Sequence, residues 1–195
     1  MWEGIKVIPT YHPAAALRNP YFAEVILNDL KQGLGLGSSV KQVPKGKYIL
    51  ANPTNKEVLY RLKEASQIAL DIETTGLDWM DKSLRLVTFN LTVKPGESFV
   101  FKANPAGIAA VKDILSHKDL LINHNIKFDL QWLHRYDIKP TCRIFDTMVA
   151  KHLLDENYPE KDLKHLSRVD LNMPELSEYA KIIHKHWKDE TQPSW

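Results

Sequence analysis

The stretch Ile68–Asp78, IALDIETTGLD, constrains this chain most. Ile68, Ala69, Leu70 and Ile72 have the apolar character of a buried strand, and two acids, Asp71 and Glu73, break into its end. Residues i and i+2 of a strand point to the same face. Asp71 and Glu73 therefore project side by side from the edge of a core. Like charges held close repel, and burial adds a desolvation cost. Something positive must offset both, and a lysine, an arginine or a metal would serve. Thr74, Thr75 and Gly76 set a tight exit turn. That turn leaves the carboxylates at the C-terminal edge of the strand, where α/β sheets tend to place ligands. An acid pair at a strand end is also an ordinary solvated loop entry, and this stretch alone does not choose between the two.

The flanking segments supply the rest of a sheet. Leu84–Val93 is rich in β-branched and aromatic residues, as strands are. Pro95 and Gly96 mark a turn into a third strand, SFVFK. These three predict an antiparallel meander. AGIAAVKDILSH then predicts an amphipathic helix, DLLINH a fourth strand, and IKFDLQWLHRYD a helix with Ile126, Leu130 and Leu133 on one face. Further helices are expected from about Asp146 to Leu154, Asp162 to Arg168 and Glu175 to Trp187. Upstream, Lys47–Ala51 predicts a short strand, and Thr54 is placed to cap the helix NKEVLYRLKEAS. The fold class is thus α/β, a mixed sheet with helices on its faces. Nearer the start, Lys6–Pro9 suggests a short strand, Pro13 opens a helix, and YFAEVILNDLKQ carries apolar residues at helical spacing. The glycines of Gly33–Ser39 are spaced G-x-G-x-G, which fits a linker and not a dinucleotide loop.

Composition narrows the setting. The chain has 195 residues, 44% hydrophobic and 26% charged, which suits one domain and a small extra piece. No apolar run approaches the roughly 20 residues of a membrane helix, so no membrane role is expected. The start, MWEGIKVIPTYHP, lacks the apolar core of a signal peptide. The single cysteine, Cys142, fits a reducing compartment. A net charge of +2 does not by itself announce nucleic-acid binding.

A third acid extends the opening pattern. Asp129 lies one helical turn beyond Asn125, at the margin of the apolar stripe. Two acids on a strand facing one on a helix match the needs of hard divalent cations, which take oxygen ligands. Such a site can hold two metals about 4 Å apart, bridging a phosphodiester.

Three blocks in order, ALDIETTGLD, INHNIKFDLQWL and IFDTMVAKHLLDENYPEKDLKHLS, resemble the successive motifs of the 3′–5′ proofreading exonuclease domain of family A (DNA polymerase I-like) polymerases. The resemblance runs over about Lys47 to Trp195. It implies a ribonuclease-H-like fold, a pair of Mg²⁺ or Mn²⁺ ions, a single-stranded DNA 3′ end as substrate, a downstream polymerase domain, and a place in the cytoplasmic replication machinery of a bacterium or phage. By the same resemblance Asp71, Glu73 and Asp129 are the metal-binding, catalytic carboxylates. Thr74 and Leu77 contact the terminal nucleotide, with Leu77 as an apolar wedge, and Asn125 and Phe128 belong to the N-x-x-[FY]-D block that meets substrate. Asp146 takes a supporting role or is a helix N-cap, the two weighing equally. A ribonuclease D-like exoribonuclease shares the acid pattern, and a non-catalytic DNA-binding module is the reading from another class.

The family closes its site with Tyr-x-x-x-Asp, whose aspartate is a fourth ligand. Near the end of this chain Tyr179 is followed four residues later by Ile183, and HKHWKDETQPSW resembles the segment just upstream of that motif. The expectation is a domain, residues 47–195, without its last motif, holding metal weakly and turning over slowly or not at all. Asp189 and Glu190 are weak substitutes. At the other end, VIPTYHPAAALRNPYFAEVILNDLK resembles the C-terminal end of a family 4-type uracil-DNA glycosylase, in which the residue matching His12 donates toward the departing uracil. The resemblance implies a remnant over 1–32, a linker over 33–46, truncation at both ends, and no glycosylase activity from this piece. Lys161, Lys164, His165 and Arg168 form a basic stripe, as consistent with a solvated face as with DNA phosphates. His184 and His186 fit a surface helix, His124 either the site or a satisfied strand end, and Trp132 and Phe145 the core.

Overall fold

The structure is a computed structural model and describes residues 3–36, 46–156, 158 and 160–171. These fall into two compact units, Pro44–Asp155 and a second formed by 1–43 with 156–195. Residues 37–45 of the expected linker, the helix expected over Glu175–Trp187, His184, His186 and the closing stretch lie outside the described residues.

The unit Pro44–Asp155 is built on one six-stranded sheet. Its elements are β1 (Lys47–Leu50), α3 (Lys56–Glu64), β2 (Gln67–Thr74), β3 (Leu86–Lys94), β4 (Glu97–Lys102), α4 (Pro105–Leu115), β5 (Leu120–Asn123), α5 (Ile126–Arg135), β6 (Arg143–Asp146) and α6 (Thr147–Leu154). The other unit contributes α1 (Ala14–Arg18), α2 (Tyr21–Gly33) and α7 (Leu163–Val169). Strand order is β1-β4-β3-β2-β5-β6. The meander β2-β3-β4 is antiparallel, while β1 on β4, β5 on β2 and β6 on β5 run parallel. This is the expected mixed α/β sheet with flanking helices.

Strand β2 alternates as a half-buried strand should. Ile68, Leu70 and Ile72 are buried, while Asp71 and Glu73 stand on the opposite face. The apolar face joins Phe89, Leu91, Phe99 and Phe101 of neighbouring strands, and Leu62, Val111, Ile114, Trp132 and Leu133 of the helices, in one core. Pairing along β2 is uneven. Its ladder with β3 continues to Thr74, but its ladder with β5 stops at Ala69↔Ile122. Past that point Asn123 donates from its side-chain amide to the Leu70 carbonyl (2.7 Å), replacing a ladder bond. Two edge supports are notable. Lys118, though buried, donates from Nζ to the carbonyls of Leu62, Lys63 and Ala65 at the end of α3. Gly107, in the first turn of α4, leaves room for the Lys102 carbonyl, which a Cβ would meet at 2.0 Å.

Several expectations need correction. Lys6–Pro9 forms no strand; an isolated bridge at Ile5, just before it, is the one extended pairing assigned there. The cap of α3 is Asn55, which accepts the N–H groups of Glu57 and Val58, while the Thr54 hydroxyl turns to Asn52. Gly33 still belongs to α2, where its missing side chain admits Ile8. Arg143–Asp146 is a strand, β6, and its Phe145 is 49% exposed on the sheet edge instead of in the core. Trp132 is fully buried, as expected.

Candidate active site

Asp71 and Glu73 leave β2 on one face because of the strand's two-residue repeat; both residues reach solvent, while their carboxyl groups are crowded enough by neighbouring atoms to be partly desolvated. Their antiparallel partners on β3 are Asn90 and Thr88. The Asn90 amide reaches toward Asp71 Oδ2 at 3.4 Å. The register of β2 on β3 shifts between Glu73 and Thr74, and a bulge there turns the chain away from the sheet. Thr74 Oγ1 then donates to the Gly76 carbonyl (2.7 Å), and the Thr75 and Arg85 backbones close the turn. Beyond it Leu77 stands 83% exposed. A leucine so placed contributes little to the core.

Asp129 comes from the other side of the β2–β5 divergence. It sits in the first turn of α5, where a carboxylate is favoured by the helix dipole. Its residue is only 4% exposed, and Oδ1 is buried without a hydrogen-bond partner. Burial pushes its carboxyl pKa up to about 7, against the pull of the Asn123 amide and the Ile72 N–H, and the negative charge of Asp71 pushes the same way. Burial also raises the pKa of Asp71, partly offset by Asn90 and the Ile72 N–H. Glu73 is raised by burial and then by Asp71. The Ile72 amide thus lies within reach of both Asp71 and Asp129, and Asp71 couples to each of the other two acids. No described lysine or arginine figures among the groups that lower these pKa values. The positive partner demanded by the sequence pattern is not a side chain of the described residues.

Asn125 has left-handed backbone (φ 63°) and is exposed, at the start of α5. Phe128 is half-buried against the core, its ring 6.5 Å from that of Trp132. Asp146 caps α6 through the N–H groups of Met148 and Val149. His124 Nδ1 lies 2.8 Å from Thr147 Oγ1, while its Nε2 is buried without a partner.

One signal was passed over in the sequence. Tyr-x-x-x-Asp does occur, at Tyr158 and Asp162, earlier than the place where the resemblance puts it. Both groups are engaged locally: the Tyr158 hydroxyl lies 2.9 Å from His165 Nε2, and Asp162 accepts the His165 N–H (3.0 Å). His165 is itself buried, so it leaves the expected basic stripe, in which Lys164 remains exposed. Among the described residues, Glu160, Asp162 and His165 are the one set of three donors whose ligand atoms lie within 4.8 Å of one another; Asp71, Glu73 and Asp129 are spread wider. In the other expected remnant, His12 is exposed and its Nδ1 accepts the Ala14 N–H (3.1 Å), closing the turn into α1.

A six-stranded mixed sheet with an antiparallel meander and flanking helices is the ribonuclease-H-like exonuclease fold. The EXO domain of Aedes aegypti Nibbler shares it with a TM-score of 0.54 over 77% of each chain, at 13% identity. The 3′–5′ exonuclease family model matches residues 47–189, and the chain belongs to that family. A structure described as the apo form of a nuclease is similar with a TM-score of 0.50 over 64% of this chain and 59% of that one, at 23% identity. Among curated proteins, DNA polymerase I of Aquifex aeolicus is 29% identical over 119 residues, 61% of this chain and 19% of its own length. DNA polymerase DpoZ of Salmonella phage PMBT28 is 28% identical over 128 residues, 64% of this chain and 20% of its own. The chain thus spans about a fifth of the length of these relatives. No described helix is long and apolar enough to cross a membrane.

Proposed function

We propose that the chain removes nucleotides from a single-stranded DNA 3′ end by metal-dependent hydrolysis, as the proofreading part of a DNA polymerase. The observation that carries this reading is the coupling of Asp71 with Glu73 and Asp129 in a place with no described cation. The family implies Mg²⁺ or Mn²⁺, and the donor set fits: three carboxylates, one with a buried oxygen lacking any partner. Hard oxygen donors of this kind suit divalent ions and suit soft metals poorly. When bound, a pair of such ions would lower the pKa of a water and stabilise the leaving 3′ oxygen.

The chain's own groups do the remainder. Asp71, whose charge acts on both of the other acids, would hold metal together with them. Asp129, whose pKa is pushed up to about 7 by burial, would have to give up its proton to hold an ion. Leu77 presents an exposed apolar edge on which a terminal base can rest, and Thr74 holds the turn that aims it. Asn125 offers its amide beside the site, while Phe128 forms the wall behind it. A mismatched end unpairs at lower cost, so single-strand access selects errors. Among the described residues Tyr158 and Asp162 are both turned to His165, and Asp71, Glu73 and Asp129 are the carboxylates this reading assigns to metal. The polymerase relatives point to a downstream polymerase domain and to the cytoplasmic replication machinery of a bacterium or phage. The glycosylase resemblance around His12 carries no chemistry in this proposal.

The test is digestion of single-stranded DNA with Mn²⁺, beside calorimetric titration of Mn²⁺ into the protein. Binding and 3′-end shortening in wild type, both lost in Glu73→Ala, are expected. DNA binding with neither Mn²⁺ binding nor shortening would make the chain a non-catalytic module. Faster digestion of a matched RNA would move the substrate to the exoribonuclease side, through the 2′-OH.

A further inference from the structure

Helix α5 begins without help from its own N-cap. Asn125 is left-handed, and its side chain makes no capping bond. The cap comes from across the sheet. Asp146, at the end of β6, accepts the Asn125 N–H at Oδ1 (3.0 Å) and the Ile126 N–H at Oδ2 (2.9 Å). The same carboxylate caps α6, accepting Met148 N–H (2.8 Å) and Val149 N–H (3.4 Å) at Oδ1. One side chain therefore closes the amino ends of two helices. Register explains how: Asp146 pairs with Asn123 at the last rung of β5 and β6, directly beside the point where α5 starts. Thr147 adds a second tie, its hydroxyl donating to the Asn123 carbonyl (3.2 Å).

This arrangement bears on the site through Asp129. Asparagine is among the few non-glycine residues that adopt left-handed backbone as single residues, and Asn125 does so at the start of α5. The Asp146 carboxylate is what holds Asn125 and the first turn of α5, and Asp129 is in that turn. A carboxylate has about four acceptor positions; Oδ1 of Asp146 takes three N–H donors and Oδ2 one, so its acceptor capacity goes mainly to the two helix starts. We propose that Asp146 is a positioning residue of the exonuclease site: its double cap fixes the start of α5 and so sets Asp129 against Asp71. The assignment rests on the metal-dependent reading above. Site geometry of this kind tolerates errors of only about 0.5 Å, so a loosened helix start is felt by the metals before it is felt by the fold.

Two variants separate the functions of the cap in the 195-residue chain. Asp146→Asn keeps the shape but turns an amide donor toward one set of N–H groups. Asp146→Ser keeps a short N-cap for α6 and cannot span to Asn125 and Ile126. Ile114→Val, a core change remote in sequence, serves as a control for general destabilisation. Hydrogen exchange at the Asn125 and Ile126 amides and Mn²⁺ titration are measured below each variant's melting temperature. Both Asp146 variants are expected to lose protection at these amides and to bind Mn²⁺ about tenfold more weakly, with kcat falling more than KM changes. The control keeps wild-type Mn²⁺ affinity. Wild-type Mn²⁺ affinity in Asp146→Ser, or unchanged amide protection, overturns the assignment alone. A wild-type protein that binds no Mn²⁺ overturns the metal reading first, and the assignment with it.

Discussion

Asp71 on β2 and Asp129 on α5 stand close enough that the charge of the first raises the pKa of the second. Neither strand geometry nor helix geometry requires this meeting. The β2–β5 ladder ends at Ala69↔Ile122, and the chain turns from β5 into α5 just past it, which brings Asp129 in beside the strand. The metal-free protein carries the cost of burying the Asp129 carboxylate first and of that repulsion second, and the cost is measurable.

Below about pH 4 Asp129 is protonated in both folded and unfolded chains, and there is no penalty. Between pH 4 and 7 the unfolded chain gives up this proton while the folded one keeps it, so stability falls as pH rises. Above pH 7 the penalty is complete, on the order of 4 kcal/mol for a shift from 3.8 to about 7. Asp129→Asn should therefore raise the melting temperature in EDTA at pH 8 and leave it nearly unchanged at pH 4. Equal shifts at both pH values would show that Asp129 ionises as an ordinary carboxyl.

Metal affinity should show the opposite slope. An ion needs the ionised form, so the apparent Mn²⁺ affinity should fall by roughly tenfold per pH unit once the pH drops below about 7. Titration at pH 6 and pH 8 checks this, and Asp129→Asn should abolish binding at either.

Leu77 is so exposed that Leu77→Ala should change stability by less than about 0.5 kcal/mol. Its effect should fall on digestion of single-stranded DNA, raising KM several-fold. A loss of stability with unchanged kinetics would place Leu77 in packing and not in substrate contact.

Lys118 should behave in the reverse way. Lys118→Met keeps much of the volume but leaves three carbonyls at the end of α3 without their donor. Stability should drop by about 2–3 kcal/mol in denaturant unfolding, with Mn²⁺ affinity intact. Desolvation lowers the pKa of this amine, and neighbouring acids resist that shift.

Much of this site could be seen in the chain itself. The alternation around Asp71 and Glu73, and the helical spacing of Asn125 and Asp129, are local patterns, and local patterns survive folding. What stayed hidden was non-local. Nothing near Arg143 announces a strand, because β6 is short, its Phe145 is exposed, and its identity comes from pairing with β5. Asp146 was visible as an N-cap, but its bonds to Asn125 and Ile126 depend on the last rung of that pairing. Asn55 took the cap from Thr54 by one position, a margin that composition does not resolve. His165 joined the basic stripe by its spacing, yet Tyr158 draws it into a buried pair. Tyr158 and Asp162 spell a recognisable pattern and serve the start of α7 instead.

The short ladder between β2 and β5 has one more consequence. In register the next rung would set Leu70 opposite Asn123, the last residue of β5, and there the Asn123 side chain takes the Leu70 carbonyl instead. Past it the chain has turned into α5, so Asp71 is stitched to β3 alone. A strand sewn along one seam and open along the other can be met by side chains from a helix, and a β5 longer by two residues would put backbone where α5 now begins.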